Sequence, residues 1–121
     1  MTLEDIQSAL KNSLKSQCPP LRVSKDNQSV MEVTGTKEVM QGKQKVAGHY
    51  FASVVPKAKD IRLYFFPIYT HASEFQLSEK LGKMLKGKSC FHINKLDDEL
   101  ILEIDQIVSK GIQLYQNDQL I

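Results

Sequence analysis

An α+β fold follows from three features of the sequence. Both ends carry apolar residues at helical spacing, the middle carries them at a period of two, and a short alternating run passes directly into a helical stripe. Together they predict an antiparallel sheet of about five strands with N-terminal, middle and C-terminal helices packed on it.

The N-terminal helix is announced by Thr2 with Asp5 three residues later, a short form of the capping box. Leu3, Ile6, Leu10 and Leu14 then share one face, leaving Glu4, Gln7, Lys11 and Lys15 to water. Pro19 and Pro20 stop the helix, because proline cannot continue its hydrogen-bond ladder. Cys18 fills the space at that stop.

From about Gln28 to Tyr69 the period becomes two. SVMEVTGTKEVMQG predicts a hairpin turning at Thr34-Gly35-Thr36, with glycine supplying the positive φ of a tight turn. HYFASVV (49–55) and IRLYFFP (61–67) are strands joined by PKAKD, and Pro67 marks a strand end. Both read as apolar on both faces, with Phe51 and Val55 opposite Tyr50 and Val54, and Ile61, Leu63 and Phe65 opposite Tyr64 and Phe66. A sheet with one wet face alternates more cleanly, so a loop, a second subunit or a ligand is expected over the second face. Aromatic residues concentrate here: Tyr50, Phe51, Tyr64, Phe65, Phe66, Tyr69 and Phe75 fall within one short stretch.

After Thr70 the helical period returns in Phe75, Leu77, Leu81, Met84 and Leu85, with Gly87 as a left-handed stop. Gly82 inside this helix predicts close packing. Lys80, Lys83, Lys86 and Lys88 form a basic patch, read either as a solvated face or as an anion site. In GKSCFHINK, Phe91 and Ile93 project to one side of a strand, Cys90 and His92 to the other. Asp97 then caps a helix, with Asp98 and Glu99 in its first turn where the helix dipole favours negative charge. Leu96 and Ile101 form a hydrophobic staple, and Leu100, Ile101, Ile104, Val108, Ile112 and Tyr115 make the long stripe.

Composition bounds the function. The 121 residues suit one domain spanning 1–121, and 41% hydrophobic with 25% charged residues is an ordinary globular balance. A net charge of +2 argues against a bulk nucleic-acid binder. No segment approaches a membrane span, and MTLEDIQSALKNSL has acids where a secretory signal is positive. A cytosolic location with no membrane partner is therefore expected, and two cysteines, Cys18 and Cys90, suit a reducing compartment.

Cys90 and His92 stand about 6–7 Å apart on one strand face, close enough to share a metal. The other donors, His49, His71 and Cys18, sit alone on separate segments, and no CxxC or HExxH spacing occurs. A structural cysteine beside a half-buried histidine is the favoured reading. No residue is placed to orient a Cys–His nucleophile pair, and GKQKVAG lacks the phosphate-loop pattern.

YFASVVPKAKDIRLYFFPIY, followed by LGKMLKGKSCFHINKLDDELILEIDQIVSKGIQLY, resembles the YdhG-like family of small bacterial domains, over about Gly48 to Tyr115. The resemblance implies helices packed on an antiparallel sheet. One branch of that family is likened to frataxin-type iron chaperones, which would place an iron contact at Asp97, Asp98, Glu99 and Glu103. The residues themselves favour a non-catalytic binding module with no resident cofactor. Its aromatic sheet face, bordered by His49, Tyr50, Tyr64, Tyr69, Cys90 and His92, would receive a second subunit or a small apolar ligand. The alternatives are iron delivery, or an enzyme using His92 or His49 as acid or base.

Overall fold

A computed structural model describes every residue from Met1 to Ile121. Helix α1 (Leu3–Lys15) is followed by strands β1 (Arg22–Asp26), β2 (Met31–Thr34), β3 (Val39–Gln41), β4 (Gln44–Val46), β5 (Tyr50–Pro56) and β6 (Ile61–Phe65). A short helix α2 (Phe66–Thr70), a 3-10 turn (Ala72–Glu74), helix α3 (Glu79–Met84), strands β7 (Leu85–Lys86) and β8 (Cys90–Ile93), and the long helix α4 (Asp98–Asn117) complete the chain. Six strands form one antiparallel sheet in the order β1-β2-β5-β6-β8-β7, while β3 and β4 pair only with each other. The α+β class is as expected. The sheet has six strands rather than about five: it gains β1, which is exposed at every position and gives no apolar alternation to read, and the two-residue β7, and it loses β3 to the separate hairpin.

Local chemistry sets the helices. Thr2 Oγ1 accepts from the Asp5 amide at 3.1 Å and Asp5 accepts from the Thr2 amide at 3.0 Å, which starts α1. Asp97 accepts from the Leu100 amide at 2.8 Å and starts α4. Ile6, Leu10 and Leu14 on α1, with Ile104, Val108 and Tyr115 on α4, are buried in one core against Leu63, Phe65 and Phe91. Each such side chain contributes about 1.5–3 kcal/mol by leaving water. No helix is long and apolar enough to cross a membrane.

Three expectations are corrected. Thr34-Gly35-Thr36 is not a hairpin turn: β2 pairs with β1 and β5, and the reversal lies further on, where Gly42 takes φ +63° between β3 and β4. Gly35 instead lets the backbone pass another segment, with its amide donating to the His49 carbonyl at 2.9 Å. The middle helix is confined to Glu79–Met84, and Gly87 (φ +76°) turns β7 into β8 rather than capping it. Gly82 has room to spare, since an added β-carbon would meet only Leu77 at 3.9 Å.

The doubly apolar sheet is corrected as well. Val33 pairs with Ala52 and Thr34 with Tyr50, so Phe51 is an extra residue in a β-bulge. The bulge turns Phe51 into the core, edge-on to Phe65 and Tyr115. Phe66 has left the strand and belongs to α2, with Pro67 in its first turn, where the missing amide costs nothing. The outer face of the sheet is consequently mixed: Glu32, Ser53, Val55, Arg62, Tyr64, Cys90 and His92. Both long helices lie on the opposite, core face.

Candidate functional site

The strand register builds the outer face as two rows. Glu32, Ser53, Tyr64, Cys90 and Lys86 stand side by side on β2, β5, β6, β8 and β7. Val55, Arg62 and His92 form the next row. Tyr64 thus occupies the middle strand of the five, a position set by period-two alternation in IRLYF, whose other residues Ile61, Leu63 and Phe65 are buried.

Polar groups on this face satisfy one another. The Tyr50 and Ser53 hydroxyls share a hydrogen bond of 2.7 Å, and Ser53 is only 6% exposed. Arg62 Nε donates to Asp60 at 3.4 Å, and His92 Nδ1 stands 3.6 Å from the same carboxylate. Burial pushes the Tyr50 phenol up to about 12, with a smaller opposing effect from Ser53. Burial also raises the Cys90 thiol, against a hydrogen bond from Tyr64 that pulls it down. Both groups are therefore protonated near neutral pH. In that form each can donate a hydrogen bond but offers neither a thiolate nor a phenolate nucleophile.

The two remaining residues of the expected face lie at its end. His49 is engaged internally: its Nδ1 is 3.0 Å from the Tyr50 carbonyl and 3.2 Å from the Tyr115 hydroxyl. Tyr69, 50% exposed, sits on α2 and stacks on Phe66, whose ring also neighbours Tyr50 and His49. Lys88 Nζ lies 5.6 Å over the Tyr69 ring, which draws it away from the other lysines of its patch. Tyr50, Tyr64, Cys90 and His92 are thus brought together, with Tyr69 joined to them through Phe66, and His49 through Phe66 and the Tyr50 carbonyl. Ser53, Asp60 and Arg62 escaped the sequence reading. Their signals are a lone serine in FASVV and a charged residue on each side of Ile61.

The donors for a metal are dispersed. Cys18 Sγ donates to the Leu14 carbonyl, and His71 pairs with Asp118 at 2.8 Å. Asp97 holds Lys80 as well as its helix, and Glu103 accepts from the Ser78 amide and hydroxyl at 2.8 and 2.6 Å. Asp98 and Glu99 are exposed in the first turn of α4. No three His, Cys, Asp or Glu side chains are placed to share an ion, so neither the Cys90–His92 pair nor the acidic run Asp97, Asp98, Glu99 and Glu103 fits an iron or zinc centre. No protein-family model, curated protein or solved structure matches the chain.

Proposed function

We propose that the chain is a non-catalytic interaction module of the YdhG-like kind, working through the open face of its sheet, and that the occupant of this face is a second copy of the chain. The supporting observation is the one-sided architecture. Every long helix packs on the core face, while the other face carries half-buried side chains such as Tyr64, Cys90 and His92 and neither long helix. The neutral thiol and phenol on that face suit hydrogen bonding across a contact better than catalysis. The two free cysteines suit a cytosolic module.

A second copy is favoured over a small apolar ligand because the face has no cavity over Tyr50 and Tyr64, and because its charges complement themselves. Glu32 and Lys86 stand two strands to either side of Tyr64, each about 10 Å away. Neither is engaged in an ion pair. A twofold axis running along β6 lays Tyr64 on Tyr64 and Glu32 of one copy over Lys86 of the other. Arg62, near that axis, is already matched by Asp60. Such an isologous contact closes on itself and does not propagate.

Sedimentation equilibrium tests the proposal. The unaltered chain should form a dimer, and Tyr64→Arg should be a monomer with an unchanged far-ultraviolet spectrum. Glu32→Lys should weaken the dimer, and adding Lys86→Glu should restore it. A wild-type chain that stays monomeric at high micromolar concentration removes the dimer. A dimer indifferent to all three changes removes the sheet face.

A further inference from the structure

The basic stretch around the middle helix is not used by the sheet face, and the structure gives it a shape. A cleft of about 670 Å³ lies between α3, the end of β8 and the start of α4. We infer that it binds a small organic molecule bearing a phosphate group.

Charge is the first argument. Lys80, Lys83, Lys86 and Lys95 line the cleft against two carboxylates, Asp60 and Asp97. Asp97 is occupied by Lys80, and Asp60 is paired with Arg62 just outside the lining, so neither carboxylate is left unpaired against an anion. Lys83 has only a solvent-exposed partner, Glu79 on its own helix, an arrangement that contributes little. Lys86 and Lys95 make no ion pair. The lining therefore holds an excess of positive charge as large as the net charge of the entire chain.

Chemistry narrows the ligand. Lysines are compact point charges, several of which can converge on a dianion, whereas a lone carboxylate is better matched by the planar fork of an arginine, and no arginine lines this cleft. Met84 and Leu100 give an apolar floor, which suits an organic body attached to the anion rather than a bare ion. His92 and Asn94 add hydrogen-bonding groups at the wall. The volume lies within the usual range for small-molecule sites, about 300–1,000 Å³.

This site is distinct from the Tyr64 centre of the self-association face, and the two meet along one edge at Lys86 and His92. The experiment is an amide-shift titration of the full chain with adenosine monophosphate, inorganic phosphate and chloride at matched ionic strength. The inference expects saturable shifts at Lys80, His92, Lys95 and Leu100, with the nucleotide binding more tightly than inorganic phosphate and chloride without effect. Lys95→Gln should weaken binding about three- to fivefold. Lys80→Gln should weaken it more, since Asp97 is then left unmatched beside the anion. Lys43→Gln, on the distant β3–β4 turn, should leave it unchanged, and Tyr64→Arg should still bind. Equal shifts with chloride, shifts spread over all lysine-bearing surfaces, or indifference to Lys95→Gln and Lys80→Gln would each overturn it.

Discussion

At Gly111 the helix α4 comes closest to the sheet. An added β-carbon there would stand 2.9 Å from Phe65 Cζ, 3.0 Å from Pro67 Cγ and 3.1 Å from Phe51 Cζ. All three neighbours are rings locked in the core or in the turn leading out of β6, so none can yield as a flexible chain end would. Alanine would gain about 1 kcal/mol of helix propensity over glycine. Overpacking of this kind costs about 1–3 kcal/mol, so the balance is against it. Gly111→Ala is expected to lower the urea midpoint without changing the slope of the transition; a raised midpoint would mean that α4 can slide away from Phe65. Sequence alone directs attention to the wrong glycine. Gly82 and Gly111 both interrupt helical stripes, and which one meets a flat apolar sheet depends on helix placement that no local pattern contains.

At the scale of elements, legibility follows the strength of periodicity. IRLYF and CFHI alternate cleanly, and their inward and outward residues fall where the pattern puts them. That made the Tyr64, Cys90 and His92 part of the candidate site readable. Alternation groups Phe51 with Val55, and the structure separates them because a bulge changes strand parity after a single residue, and nothing in HYFASVV marks the extra one. Strand β1 was invisible for a different reason: RVSKD is an edge strand held by pairing rather than burial. Its connection to the rest depends partly on Asp26, which takes Lys11 at 3.0 Å and Lys15 at 2.9 Å from α1. Those two lysines, Lys15 foremost, hold the Asp26 carboxyl below its ordinary value. Asp26→Asn should therefore speed hydrogen exchange at the β1 amides while leaving β6 and β8 protected, since exposed ion pairs orient an edge but do not build a core. Equal acceleration in all three strands would mean that β1 unfolds only with the whole sheet.

Across the whole molecule, the shifted groups set a pH window for folding, and their signs can be worked out separately. Asp5 is held low by the Thr2 amide and hydroxyl, Asp26 by Lys15 and Lys11, and Asp97 by Lys80 and the Leu100 amide. Each is more acidic folded than unfolded, so its contribution is present above about pH 4 and disappears as the pH falls through the folded value. All three secure helix starts or the α1–β1 contact, so the acid loss begins at the ends of elements, and salt should shrink it by screening the lysine partners. Tyr50 and Tyr115 behave oppositely. Burial pushes Tyr50 up to about 12 and raises Tyr115 further, while unfolded tyrosine ionises near pH 10. Their stabilisation is complete below about pH 10 and is lost as the pH climbs through the folded values. Tyr115 reaches from α4 to β5, its hydroxyl donating to the Tyr50 carbonyl, while the Tyr50 ring stands on the other side of β5 against Ser53, so alkaline unfolding begins around β5. Urea midpoints measured across pH should hold a plateau through neutrality and fall at both extremes. Tyr50→Phe should flatten the alkaline fall while leaving the acid fall in place, because only the first depends on a phenol that must stay protonated. If the alkaline fall survives in Tyr50→Phe combined with Tyr115→Phe, the loss at high pH comes from lysine deprotonation, and the ion pairs at Asp26 and Asp97 then set both sides of the window.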